Sequence, residues 1–438
     1  MNQFFVEALD TREHPIKKAK KKIQAEYFTA LTYIVEKTIS EANFNQGETK
    51  KYVAERLRLY QSQLFADISI EATDEKDGTR CLTAFSKPWR SKYRFMLVCD
   101  AALILLDDAL VSGAVKIIKE RLSAKRQADI EQVATLLQHD RDIEKKYLPA
   151  SPLVKQFRTN KDFISKSERR IIVTANMSAG KSTLINALIG KPITRTSQEV
   201  CTGNVCYLFN KAYEDGKVHL LAQGLNLCAT AEDLHGYDWN GHISIASYFA
   251  GIEADVPRLC IIDTPGVDAA LYKEHSKRAH NALLNYDYDT IIYVVSPTRL
   301  GTDAEKKHLQ WVAQNLQKDK IIFVLNKLDD YHDFSDSIEE SVNDFKEDLL
   351  KIGFENPIIC PISAYFSYLL KMRMTGQALS EDESDEYALY AKKFKRSAYD
   401  LSHYYDGVQC LPTDSEEIAL SKRVGLYGLE KKIYGGRL

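Results

Sequence analysis

A chain of 438 residues is too long for one ordinary core, so two or three domains are expected. A hydrophobic content of 45% with 27% charged residues is that of a globular protein, and a formal net charge of -2 excludes a global bias toward nucleic acid or acidic membranes. The eight cysteines form no C-x-x-C pair and follow no secretory signal, which argues against a disulfide framework and for a reducing, cytoplasmic setting.

The first 150 residues carry apolar positions at three- and four-residue steps, so they are expected to form an α-helical bundle. Ile16, Ala19, Ile23, Tyr27, Ala30 and Ile34 make one stripe, and Val53, Leu57, Tyr60, Leu64 and Ile68 another. A third helix is predicted over 95–122, and a fourth carries Ile130, Val133, Leu137, Ile143 and Tyr147. Asp100, Asp107 and Asp108 interrupt the most hydrophobic run, which therefore reads as a buried helix and not a membrane span. The stretch 151–169, without sustained apolar period, is expected to be a linker.

From residue 170 the pattern changes to short β-branched runs alternating with helical segments, as an α/β fold with a mostly parallel sheet flanked by helices requires. Strands are predicted over 171–174, 205–209, 218–222, 259–262, 290–295, 320–325 and 358–361, and helices over 182–189, 304–317 and 337–352. A helical insert is expected at about 365–405, where the acidic run 381–386 precedes the basic run 392–396. The C-terminal helix 428–433 is expected to complete the N-terminal bundle.

The first chemical motif, Ala175-Asn176-Met177-Ser178-Ala179-Gly180-Lys181-Ser182, follows a strand and opens a helix, the setting in which backbone amides cradle phosphate. Lys181 is placed to reach the β and γ phosphates and the Ser182 hydroxyl to ligate Mg²⁺, while Gly180 allows close backbone approach. Ala175 stands where the P-loop pattern has its first glycine. An apolar strand then ends in Asp263-Thr264-Pro265-Gly266, in which Asp263 can hold the Mg²⁺ shell and the Gly266 amide can sense the γ-phosphate. A third strand runs into Asn326-Lys327-Leu328-Asp329; a carboxylate there accepts from guanine N1–H and the 2-amino group, donors adenine does not offer, so GTP is the expected ligand. Asn326 would brace the loop, the Lys327 stem would cover the base, and Ser363-Ala364 after the last strand matches the element whose backbone meets the guanine oxygen. Thr202 is the favoured switch threonine for Mg²⁺, with Thr194 and Thr196 as alternatives.

With these elements in order, residues 170–438 resemble a translation-factor-type P-loop GTPase domain, and within that class the dynamin superfamily, especially bacterial dynamin-like proteins. The resemblance implies Mg-dependent GTP hydrolysis, a nucleotide site lined by residues 176–183, a helical neck-like region before the GTPase domain, and Ser178 as a catalytic helper beside Lys181 and Thr202. It also implies a homodimer through the GTPase domains and peripheral membrane or partner dynamin-like contacts. Met177 stands where eukaryotic dynamins carry a catalytic glutamine and Val267 where the Ras-like glutamine would be, so the water-aligning side chain is not named. Two rival readings remain, a GTP-dependent scaffold with negligible turnover and an RNA-associated GTPase; the lack of a strongly basic domain counts against nucleic acid.

Overall fold

The computed structural model describes residues 3–42, 47–67, 74–176, 178–194, 205–236, 243–252, 256–266, 273–331 and 337–435. The chain forms two compact units, Met1–Ser167 with Lys211–Ala229, and Glu168–Asn210 with Thr230–Leu438.

The first unit holds helices α1 (Lys21–Glu41), α2 (Gly47–Leu64), α3 (Glu75–Ala84), α4 (Ser91–Leu105), α5 (Asp108–Lys119), α6 (Ala124–Gln138) and α7 (Ser151–Ser165). Helix α4 is buried at every position from Tyr93 to Leu105, as a central helix apolar all round must be. Its one carboxylate, Asp100, accepts from Tyr27 OH at 2.5 Å and Tyr60 OH at 3.2 Å and lies 3.0 Å from His14 Nε2. Those partners make a charged residue tolerable there.

Three helix expectations are corrected. The single helix over 95–122 is two, because Leu106 takes φ 63° and the Asp107 carboxylate accepts from the amides of Ala109 and Leu110, capping α5. The fourth helix stops at Gln138, leaving Ile143 outside it and Tyr147 in the 3₁₀ turn Lys145–Ala150. The stretch read as a linker contains α7, with Pro152 in its first turn and Leu153, Val154, Phe157 and Phe163 buried. Asn160 interrupts that stripe; it is itself buried, exchanging hydrogen bonds with the Ala8 amide and carbonyl at 2.9 and 2.8 Å.

The second unit is built on strands β1 (Arg169–Ala175), β2 (Cys206–Asn210), β5 (Ile243–Ser247), β6 (Leu259–Asp263), β7 (Thr290–Val295), β8 (Ile321–Leu325) and β9 (Ile358–Pro361); the short β3 (His219–Leu221) and β4 (Leu225–Asn226) lie in the first unit's 211–229 segment and pair antiparallel. Within the second unit the order is β5-β2-β6-β1-β7-β8-β9, and every neighbouring pair is parallel except β2 with β6. β6, β7 and β8 are buried at every residue, the pattern of parallel strands covered on both faces. β5 was not expected, since Ser244 and Ser247 break its apolar run, yet all five of its residues are buried.

Helices α8 (Lys181–Ile189), α9 (Ala231–Gly236), α10 (Lys273–Asn285), α11 (Asp303–Asn315), α12 (Ile338–Ile352), α13 (Ala364–Met374), α14 (Glu381–Phe394), α15 (Glu416–Arg423) and α16 (Leu426–Tyr434) accompany the sheet. The C-terminal helix α16 belongs to this unit and not to the N-terminal bundle. Its buried Glu430 pairs with the equally buried Lys371 of α13 and accepts from the Ile252 amide at 3.0 Å.

Candidate functional site

Parallel strands deliver their following loops to one edge of the sheet, the place where α/β folds bind ligands. β1 and β6 run parallel in register, with Val173 opposite Asp263, so the turn after β1 and the end of β6 lie side by side. There the ammonium of Lys181 makes a close ion pair with Asp263 Oδ1, both side chains buried. The second carboxylate oxygen, Asp263 Oδ2, is buried without a hydrogen-bond partner among the described residues. Thr264 secures the D-T-P-G turn to β1, its hydroxyl donating to the Val173 carbonyl at 2.8 Å. Gly266 follows at the edge of the described segment.

The loop between β1 and α8 holds two left-handed residues, Ser178 at φ 63° and Gly180 at φ 89°. At Gly180 a Cβ would lie 2.2 Å from Asn326 Nδ2, so glycine is needed both for its backbone and for its missing side chain. Ser178 is exposed, Ala179 buried, and Ser182 and Thr183 half-buried on the first turn of α8. Asn176 is buried below the loop, its Nδ2 donating to Glu305 Oε2 at 2.6 Å while Tyr293 OH donates to Glu305 Oε1 at 2.6 Å. Burial pushes the Glu305 carboxyl above the ordinary carboxylate range, against the two donors that lower it.

On the other side of the sheet's central strand, the loop after β8 turns on Lys327 at φ 66°. Asn326 Nδ2 donates to the Ala179 carbonyl at 2.9 Å, and the Ala364 amide donates to Asn326 Oδ1 at 2.9 Å. One side chain thus ties together the loops after β1, β8 and β9. Ser363 Oγ donates to Asp329 Oδ1 at 2.6 Å and also caps α13 by accepting from the Phe366 amide at 3.2 Å. Burial raises the Asp329 carboxyl, and the Ser363 bond partly opposes that rise.

The structure therefore gathers Asn176, Ser178, Ala179, Gly180, Lys181, Ser182 and Asp263 on one side of this sheet edge and Asn326, Lys327, Asp329, Ser363 and Ala364 on the other, joined through Asn326. Met177, Thr196, Thr202 and Val267 lie outside the described residues. Thr194 is described: its hydroxyl donates to the Ser182 carbonyl at 3.1 Å and to Asn186 Oδ1 at 3.0 Å. Asn186 also accepts from the amides of Ile193 and Thr194, fixing the start of the segment that leads to Thr202. Glu305 and Asn186 had no sequence signal as site residues, because their partners are distant or lie in irregular backbone.

Residues 171–328 match the Dynamin family model. Over 252 residues the chain is 26% identical to a probable transmembrane GTPase, FZO-like, chloroplastic, of Arabidopsis thaliana, covering 56% of this chain and 24% of that protein. Over 241 residues it is 27% identical to an uncharacterized protein in the xynA 3′ region of Caldicellulosiruptor sp. (strain Rt8B.4), covering 52% and 55%. The matches thus span about a quarter and about half of these curated relatives' lengths. Among solved structures, one of an oligomerised bacterial dynamin pair aligns over 95% of this chain and 61% of that one, with 16% identity and a TM-score of 0.37. A probable GTP-binding protein engB aligns over 48% and 95%, with 19% identity and a TM-score of 0.26. Residues 171–328, running from β1 through the loop that holds Gly180 to Leu328 in the N-K-L-D turn, are the part of this chain that is similar to the dynamin family.

Proposed function

We propose that the second unit binds GTP with Mg²⁺ and hydrolyses it to GDP and phosphate. The observation that carries this reading is the bridge made by Asn326, which ties the phosphate loop through Ala179 to the base loops through Ala364. Lys181, freed from Asp263 when a triphosphate enters, neutralises charge on the β and γ phosphates, and the amides of residues 178–183 supply donors at the N-terminus of α8. Asp329 accepts from the guanine N1–H and amino group, with Ser363 fixing one carboxylate oxygen. Mg²⁺ fits a site of few protein oxygens: Ser182 and Asp263, whose Oδ2 lacks a partner, would hold it with Thr202, the remaining positions being waters and phosphate. When bound, the ion supplies charge neutralisation across the phosphate oxygens. The reaction is in-line attack of water on the γ-phosphorus, breaking the bond to the β-phosphate oxygen, with Ser178 at the loop surface as the helper.

Calorimetry with GTP and ATP tests the binding. Asp329→Asn should weaken GTP by about tenfold or more while raising affinity for xanthosine triphosphate, whose O2 can accept from the new amide. Phosphate release by purified protein, with Lys181→Ala as control, separates an enzyme from a scaffold; equal release from both proteins sinks the catalytic claim. Dimerisation through this unit and peripheral membrane association follow from the same family resemblance. A specific GTPase rate that rises with protein concentration, and nucleotide-dependent flotation with liposomes, are the expected results. No helix among the described residues is long and apolar enough to cross a membrane.

A further inference from the structure

The acidic run 381–386 and the first residues of the basic run 392–396 lie in a single helix, α14, with Lys395 and Arg396 just past its end, and that helix touches the loop after β8 and the first turn of α13. Its acidic end opens with a capping box, Ser380 accepting from the Glu383 amide while Glu383 accepts from the Ser380 amide, and its basic end lies where the helix dipole favours cations. Those roles account for the ordering of charge but not for Glu386 and Lys393. Glu386 accepts a close hydrogen bond from Tyr365 OH, the residue that follows Ser363-Ala364. Lys393 Nζ donates to the Asp329 carbonyl at 2.6 Å and, more closely still, to the Tyr331 carbonyl. Tyr399 adds its hydroxyl to the same Tyr331 carbonyl at 3.2 Å, with the Lys393 ammonium 4.6 Å from its ring. Phe394 stacks on Phe366 at 5.5 Å, seating α14 on α13, the helix that Ala364 begins.

We infer that α14 clamps the two base loops and that Lys393 is the positioning residue that fixes Asp329 for a guanine base. The inference rests on the guanine-nucleotide reading above. A carboxylate discriminates between bases only if its orientation is held, and here the backbone that carries it is held from outside the loop by an ammonium from a separate helix. Phosphate recognition lies elsewhere, at Lys181 and the turn after β1. Loss of the clamp should therefore lower base-dependent affinity and spare phosphate-dependent affinity.

The experiment is a competition titration with Mg-GTP and Mg-ATP on the full chain and on Lys393→Met, Lys393→Arg and Tyr399→Phe. The unsubstituted chain is expected to prefer GTP. Lys393→Met should lower GTP affinity about tenfold and leave ATP within about twofold, while Lys393→Arg keeps most of the preference because it retains the donors. If Lys393→Met fails to fold, Tyr399→Phe carries the test, with a roughly two- to threefold fall in the GTP-to-ATP ratio expected. An unchanged ratio in the folded variants, whether both affinities fall or neither does, overturns the clamp. A lack of GTP preference in the unsubstituted chain is a different result: it defeats the guanine reading itself, and the clamp with it.

Discussion

Replacing Asn326 by alanine tests whether one amide holds the site together. Its two hydrogen bonds, to the Ala179 carbonyl and from the Ala364 amide, are both 2.9 Å and both buried. Each group left unpaired and dry would cost about 1–3 kcal/mol, so the pair sets a range of roughly 2–6 kcal/mol. The lower end is expected, because removing a side chain packed against Gly180 opens room in a polar setting for water to replace the bonds. A cost of roughly 2–3 kcal/mol corresponds to a loss of about 30- to 150-fold in nucleotide affinity, shared by GTP and GDP because the phosphate and base loops part together. Displacement of a fluorescent GDP analogue reads the affinity, and urea unfolding followed by circular dichroism reads any part that appears as global stability. Asn326→Asp keeps the acceptor for Ala364 but sets a carboxylate against the Ala179 carbonyl, so it should be no better than alanine. Affinity within about twofold of the unsubstituted chain, with stability within about 0.5 kcal/mol, would refute the bridging role.

Three other substitutions probe separate parts of the molecule. Gly180→Ala meets Asn326 Nδ2 at 2.2 Å and a left-handed backbone, so nucleotide binding should fall by at least about tenfold while the melting temperature drops by only a few degrees; normal binding would show that the loop adapts. Lys371→Met strands the buried Glu430 and should cost about 3–5 kcal/mol in urea unfolding, whereas adding Glu430→Leu should recover a good part of it; equal losses in the single and double variants would contradict the ion-pair account. Burial raises the Glu7 carboxyl to about 8 from an ordinary 4.5, so the folded chain keeps a proton that the unfolded chain releases between those values. Stability should fall as pH rises through that window, and Glu7→Gln, which cannot ionise, should gain on the unsubstituted chain from pH 5 to pH 8; a melting-temperature gap that does not widen rules this out.

The parts of the fold visible in the sequence were those whose local pattern and tertiary role agree. β1, β6 and β8 are apolar runs that end directly in a polar motif, and each occupies the interior of the sheet with its motif at the same edge. Two misreadings share a cause, a polar residue on a buried stripe: Asn160 hid α7, and Ser244 and Ser247 hid β5. A third comes from a cap, since half-buried Asp107 divides one apolar run into two helices. In each case a hydrogen bond or a sheet position that depends on folding decides the outcome, and periodicity carries no trace of it. At the site, Lys181, Asp263, Asn326 and Asp329 could be chosen because their spacing follows strands, whereas Glu305 and Lys393 gain their contacts only when their helices pack on the sheet and its loops, and Asn186 gains its own from irregular backbone just beyond its helix.

The excursion of residues 211–229 into the first unit governs how this protein can be taken apart. Asp215 accepts from the Leu9 amide at 2.7 Å, Lys217 donates to the Leu9 carbonyl at 2.6 Å, and His219 Nδ1 lies 2.7 Å from the Phe5 carbonyl, so the excursion is stitched to the chain's opening segment. The polypeptide passes between the two bodies three times, after Ser167, after Asn210 and after Ala229. A protease cutting once between 167 and 168 would leave the fragments still laced together, and a truncation at that point would strip the helical body of residues it encloses.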